Sequence, residues 1–175
     1  EIPTSPFRFA LDAVKLNTDK ITIIPSGRTV DAIKNTPDSQ LLTGKGVKMG
    51  VIDTGFVPSM THPMIGFRRP ELYSTVPEPP NDMQSHGSWC TFMAGGSEWK
   101  HPKYGTLKGV APESDLVHVT ALTSIGFGST QSVLKAMEIS QKTGCKVVSM
   151  SLGGPSQGGV DDDPEPRAMK MLSEN

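Results

Sequence analysis

No apolar run in this 175-residue chain is long enough to cross a membrane. Cysteine is scarce: Cys90 and Cys145 are the only two, too few for a disulfide framework. Excess charge is lacking as well. Seventeen Lys and Arg against 18 Asp and Glu leave a formal charge of −1, so neither a nucleic acid nor an anionic membrane is expected as a partner. The basic spots that exist, Arg68-Arg69 and Lys100-His101-Pro102-Lys103, are short and read as solvated loops. Residues 1–15 have no basic start followed by an apolar segment, so no signal peptide is visible. The first residue is Glu1, not Met, which reads as processing or trimming, and the compartment is not legible from what remains. What the chain does have is 18 Gly and 15 Pro set between clean apolar runs. That pattern suits a loop-rich globular domain better than a disordered segment.

The apolar runs give the organisation. Residues 1–25 read as an arm, with an edge strand at 21–24 ahead of Pro25, and residues 26–175 as one domain. A short helix over 30–34 is expected to bring Leu41 and Leu42 onto the core. A buried strand follows at 48–52, after the turn Thr43-Gly44-Lys45-Gly46. Prolines 58, 63, 70, 77, 79 and 80 make 56–85 a long irregular loop. A helix is expected at 86–94, with Ser85 as its N-cap and Gly95-Gly96 as its stop. A strand at 115–120 comes next, after the turn Gly109-Val110-Ala111-Pro112. Then come the flexible, strand-compatible Gly126-Phe127-Gly128, a helix from Ser129 or Thr130 to Lys142, a strand over 145–154 and a helix over 164–174. Strands alternating with helices imply an α/β fold: a parallel β-sheet with crossover helices on both faces.

Chemistry collects around Val51-Ile52-Asp53-Thr54-Gly55. Asp53 sits where a buried strand leaves the core, the edge at which ligands gather in open α/β sheets. Asp-Thr-Gly there has three readings: a plain strand end, the acid of an aspartic protease, or the acid of an Asp-His-Ser hydrolase. The aspartic protease needs an all-β fold and a second Asp-Thr-Gly or a homodimer, and Asp53 is the only aspartate followed by Thr-Gly. His86 opens the next helix. A carboxylate that orients an imidazole, and an imidazole that moves a proton, are two of the groups acyl transfer requires.

With these motifs in order, the chain resembles the subtilisin-like serine proteases, the subtilases. Val-Ile-Asp-Thr-Gly at 51–55 resembles their aspartate motif and His86-Gly87-Ser88 their His-Gly-Thr motif. Gly109-Val110-Ala111-Pro112, Ser149-Met150-Ser151-Leu152-Gly153-Gly154 and His62-Pro63 resemble further family segments. The resemblance runs from about Gly44 to Pro155. It implies a serine-type endopeptidase in which Asp53 orients His86 and His86 is general base, then acid. It implies a peptide or protein substrate laid along Gly126, Phe127 and Gly128, with Ser151, Leu152 and Gly153 walling the pocket for the residue before the scissile bond. Glycines in such segments suit close approach by another backbone. No cofactor is implied, though calcium is common in the family, and Asp161-Asp162-Asp163 would be the carboxylates for it, or else a solvated acidic turn. A secreted location and a propeptide origin for residues 1–25 are implied in the same way.

The chain departs from the family in two places. The Gly-Thr-Ser-Met nucleophile motif is absent. The chain therefore reads as an N-terminal portion whose serine lies elsewhere, inactive alone and stable only with its missing part or another copy. The rival is a subtilase-like binding or structural piece without catalysis. In the second departure, Trp89, Thr91 and Phe92 stand where small residues are usual, which questions how the His86 helix packs. Cys90, one turn after His86, resembles the cysteine found beside the active site in some subtilases. It is either a small buried hydrophobe or a thiol whose labelling blocks the site.

Overall fold

The architecture is that of a computed structural model describing residues 25–57, 62–65, 68–154, 159 and 162–174. The expected strand at 21–24 lies outside the described residues.

β1 (Lys48–Asp53) is buried at every position after its first, and the other elements are placed against it. Gly44 (φ 79°) and Gly46 (φ 77°) make the turn that feeds it, in a left-handed region that costs glycine little. β1 pairs in parallel with β5 (Asp115–Thr120) on one side and β6 (Val147–Met150) on the other, and β2 (Glu71–Ser74) pairs in parallel with β5. The sheet order is β2-β5-β1-β6. All these pairings are parallel, as the alternation of strands and helices predicts.

Strand parity assigns the two faces. Ile52, Val117, Val119 and Ala121 turn to one side and pack on Val133, Ala136 and Met137 of α4 (Thr130–Lys142). α5 (Pro164–Ser173) packs on α4. On the other side, Met49 and Leu116 meet α3 (His86–Gly95) so closely that a side chain at Gly95 would strike both. α4 begins at Ser129, whose hydroxyl accepts from Ser132 N, and it stops before Gly144 (φ 82°). Among the described residues no helix is long and apolar enough to cross a membrane.

Several expectations need correction. The first helix, α1, spans Ser26–Ile33 rather than 30–34. Leu41 and Leu42 are 79% and 68% exposed, so they do not join the core. The four-residue α2 (Pro37–Gln40), held by a Thr36–Ser39 capping box, ends before them. The 56–85 loop contains β2. Its prolines exclude a helix but fall on either side of Glu71-Leu72-Tyr73-Ser74, and an edge strand tolerates such neighbours. A two-stranded hairpin of β3 (Trp99–His101) and β4 (Gly105–Leu107) also went unread, because strands so short carry no usable periodicity.

Arg68 corrects the view of Arg68-Arg69 as solvated. Its guanidinium is half-buried and donates to the carbonyls of Ser114 (2.8 Å), Met64 (3.3 Å) and Gly95 and to Ser97 Oγ (3.0 Å). One planar fork therefore joins the end of α3, the 62–65 turn and the entry to β5. A single lysine point could not span these acceptors. Arg68→Ala is expected to lower stability by about 3 kcal/mol, since charged hydrogen bonds contribute roughly 1.5–3 kcal/mol each and carbonyls would be left unmet. Arg68→Lys should recover less than half. Denaturant titration of the three proteins checks both values, and an Arg68→Ala loss under about 1 kcal/mol would sink this account.

Candidate active site

Asp53 ends β1 on the face turned to α3, fully buried. The chain then swings away at Gly55 (φ 124°), where an added Cβ would come within 2.8 Å of Asn81 O. Gly55 thus brings the 80–82 segment against the end of β1. Phe56 N donates to Pro80 O (3.1 Å) and holds it there.

The 80–82 segment sets the start of α3. Ser85 is at the N-cap position, but it adopts a left-handed conformation (φ 72°) and its hydroxyl caps nothing. Asp82 does that work instead. Its Oδ1 accepts from Ser85 N (2.8 Å) and Gln84 N (3.2 Å), and its Oδ2 from Ser88 N (2.7 Å). Oδ1 also accepts from Thr54 Oγ1 (2.9 Å), whose oxygen in turn accepts from Gly87 N (2.9 Å). Asp82 is only 5% exposed. Burial pushes its pKa up, but the bonds from Ser88, Thr54 and Ser85 outweigh that and hold it below the ordinary value. Helix start and strand end are therefore locked together by one carboxylate and one hydroxyl.

That lock places His86 Nδ1 2.7 Å from Asp53 Oδ1. Asp53 Oδ1 also accepts from Thr54 N (2.7 Å). An ionised carboxylate only accepts, so Nδ1 carries the imidazole proton and Nε2 keeps its lone pair. The ring is 45% exposed on its side chain and lines a cleft of about 1050 Å³. The arrangement can take a proton from a group in the cleft and stabilise the resulting imidazolium.

The other sequence-selected residues line the same cleft. Gly126, Phe127, Gly128, Ser151, Leu152 and Gly153 are all among its lining residues. Neither segment is a strand here. Gly126 (φ 81°) closes a turn in which Gly126 N donates to Thr123 O and Thr123 N to Phe127 O, both 2.8 Å. The last strand stops at Met150, ahead of the Gly153-Gly154 turn into which it was expected to run. Phe127 is 74% exposed, whereas Leu152 is half-buried against the core. Asp163, from the acidic run, caps α5 by accepting from Glu165 N (3.0 Å). Asp161 lies outside the described residues.

The bulky residues after His86 find three different surroundings. Trp89 is exposed on the cleft, Thr91 is buried, and Phe92 lies edge-on to Phe56 (5.5 Å) and stacks on His62 (4.6 Å). Cys90 Sγ lies 3.8 Å from His86 Nδ1. Burial, the largest influence, pushes its thiol pKa up.

Two contributors were missed from sequence. Asp82 had a signal, since Asn and Asp side chains habitually accept from backbone N–H groups two or three residues on. His118 had none, standing in an ordinary apolar strand. It is fully buried beneath the site, stacked on Phe56 (6.1 Å). Thr91 Oγ1 donates to Gly87 O (2.8 Å), so His118 Nδ1–H donates to Thr91 Oγ1 (3.0 Å). Burial lowers its pKa from 6.5 to about 4, against a partial counter-pull from Asp53 and Asp82. A folded-state pKa below the unfolded one gives stability that is whole above pH 6.5 and drains as pH falls towards 4. The loss is roughly 3 kcal/mol at 1.36 kcal/mol per unit. His118→Gln should flatten this part of a stability-versus-pH curve, and an unchanged slope between pH 6.5 and 4 would refute the assignment.

Comparison with known proteins bears on what the cleft is. The model of the Subtilase family matches residues 44–173. Subtilisin Savinase of Lederbergia lenta is 37% identical over 115 residues, which are 66% of this chain and 40% of that protein. Alkaline protease of Shouchella clausii is also 37% identical over 115 residues, covering 66% of this chain and 28% of that protein. Subtilisin E of Bacillus subtilis (strain 168) is 36% identical over 118 residues, 67% of this chain and 30% of that protein. The matched segment thus spans at most 40% of the length of these relatives.

Proposed function

This chain belongs to the subtilase family, and from that premise we propose that it supplies the acid–base portion of a serine endopeptidase. The observation that carries the reading is the 2.7 Å bond between a fully buried Asp53 and a cleft-lining His86. Asp53 holds the imidazole in the tautomer that leaves Nε2 basic. His86 then takes the proton of a serine hydroxyl as that oxygen attacks a peptide carbonyl, and returns it to the leaving amine. An extended peptide lies between the 126–128 turn and residues 151–153, with Phe127 and Leu152 giving apolar contact.

The nucleophile belongs to further sequence of the full-length protein. Ser149 lies within β6, and among the described residues no hydrogen bond joins His86 to Ser149 or Ser151. Val147 and Val148 of β6 are 53% and 39% exposed, and this apolar edge supports a sheet completed by more protein. The all-β fold that an aspartic protease requires is not the fold of this chain.

Treating the full-length protein with a fluorophosphonate probe and mapping the adduct tests the reading. A single labelled serine outside this chain, with labelling lost in His86→Ala, is the expected result. No adduct, or an adduct on Ser149 or Ser151, would overturn it and leave a non-catalytic binding piece.

A further inference from the structure

The cleft turn at 123–127 is closed by its own bonds. Gly126 N donates to Thr123 O, and Thr123 N and Oγ1 donate to Phe127 O (2.8 and 2.9 Å). Ile125 and Phe127 are 75% and 74% exposed, so their side chains do not hold the turn in place. Among the described residues, its hydrogen bonds to the rest of the protein all run to one side chain. Ser124 N donates to Glu78 Oε2 (2.7 Å) and Ser124 Oγ to Glu78 Oε1 (3.3 Å), a two-point grip on a half-buried carboxylate.

Glu78 is itself anchored on both sides. Upstream, Ser74 Oγ donates to Val76 O (3.0 Å) and Glu78 O (2.8 Å). Thr75 N donates to Thr120 O (2.8 Å) and Thr75 Oγ1 to Ser132 O (2.9 Å), which ties this run to β5 and α4. Downstream come Pro79 and Pro80, whose φ angles are fixed by their rings. Pro80 O takes the bond from Phe56 N, and Asp82 sets the start of α3. Residues 78–82 therefore form one short strap. Its first residue holds the cleft turn, and its last holds the helix of His86.

We propose that Glu78 is a positioning residue for substrate, whose carboxylate fixes the 123–127 turn, and with it Gly126-Phe127-Gly128, at the spacing from His86 that an extended peptide needs. What fills the cleft is taken from the peptidase reading, on which this inference rests. A peptide gains most from a backbone segment that is already in place, since otherwise binding must order that segment. The grip depends on reach more than on charge. Glutamine has the same length, and its oxygen can accept from Ser124 N while its nitrogen donates to Ser124 Oγ. Aspartate keeps the charge but is one methylene shorter, so it cannot keep both bonds from the same backbone.

The test compares two substrates in the full-length protein. One is an acetylated pentapeptide p-nitroanilide, long enough to reach 126–128. The other is an acetyl amino acid ester with the same residue before the scissile bond, which stops beside His86. Glu78→Ala should raise KM for the pentapeptide at least about 10-fold, the lower end for losing a hydrogen bond to a charged group. Its kcat should fall less than about 3-fold, and kcat/KM for the ester should fall no further than that. Glu78→Asp should resemble Glu78→Ala, whereas Glu78→Gln should return KM to within about 3-fold of the unaltered protein. A general loss of packing would slow both substrates alike. Amide exchange at Ser124 should quicken more than about 10-fold in Glu78→Asp while Val119, inside β5, stays slow. If Glu78→Ala does not fold, the Gln and Asp variants carry the comparison. If the unaltered protein hydrolyses neither substrate, the proposed function fails, and calorimetric binding of the pentapeptide amide to the unaltered, Gln and Asp proteins still decides this role. Equal losses on both substrates, Glu78→Asp matching the unaltered protein in KM or in peptide affinity, no peptide binding at all, or unchanged exchange at Ser124 would overturn the proposal.

Discussion

In the full-length protein, His86→Ala is expected to lower kcat for an extended peptide about 10⁶-fold and Asp53→Asn about 10⁴-fold, with KM changing much less. The magnitudes are those of triad removal in subtilisin and its relatives, not values derived from this geometry. The direction does follow from the geometry. Without the imidazole, the cleft loses the base that Asp53 orients. With an amide in place of Asp53, a neutral oxygen can still accept from Nδ1 at the 2.7 Å contact, but the negative charge that stabilises the imidazolium is gone. Where the amide turns its nitrogen to Nδ1 instead, the imidazole proton moves to Nε2 and the base is lost as well. The two residues act as one unit, so the double variant should be no slower than His86→Ala alone. Multiplying losses would mean that Asp53 and His86 act separately, and that the 2.7 Å contact is incidental to catalysis.

What sequence reading reached, and what it did not, divides by the range of the forces involved. β1, β5 and α4 were legible because buried runs and helical spacing repeat over at least six residues. Asp53 and His86 were legible because each sits at the end of such an element. The cleft walls were found through motif likeness. Their conformation was not, since Gly126 and Ser151 lie in turns and coil that the flanking elements shape. Arg68 shows the opposite case. A pair of arginines in a proline-rich loop looks solvated, and only the meeting of three distant backbone segments gives Arg68 its carbonyls. Leu41 and Leu42 failed for the same reason, because an apolar side chain is buried only if something arrives to cover it.

The N-terminus of α3 teaches a narrower lesson. Ser before His-Gly-Ser is the natural cap on preference alone. The chain instead uses an aspartate three positions earlier, and a left-handed Ser85 is the consequence. The substitution has a functional logic. A Ser85 cap would fix only the helix to itself, whereas Asp82 fixes the helix to Thr54, the neighbour of Asp53. The geometry between Asp53 and His86 thereby depends on a residue that is hydrogen bonded to neither side chain.

Asp82→Ala should accordingly lower kcat by about 10²-fold in the full-length protein, a size in line with the cost of misplacing a catalytic group by roughly 1 Å. It removes the acceptor shared by Thr54, Ser85 and Ser88, so α3 can slide against the end of β1 and the Asp53–His86 bond lengthens. Stability should fall by about 2–3 kcal/mol, as a cap and a buried charge-assisted bond are lost together. Asp82→Asn is the sharper variant. Its amide can keep one acceptor, but its nitrogen must then face an N–H donor, so it should recover stability only in part and kcat hardly at all. The carboxylate also carries a pH signature. Its folded-state pKa lies below its unfolded value of 3.8, so its stabilisation is present above that value and is lost as pH falls through the lower one. That places its effect below about pH 4, beneath the window assigned to His118, and the two variants should remove separate parts of the acid limb. The NMR resonance of the His86 Nδ1 proton gives the readout that a merely structural role would not move. It should weaken or shift in Asp82→Ala under conditions where the protein remains folded. A folded Asp82→Ala with that resonance unchanged and full kcat would show that strand end and helix start are held by something other than this carboxylate.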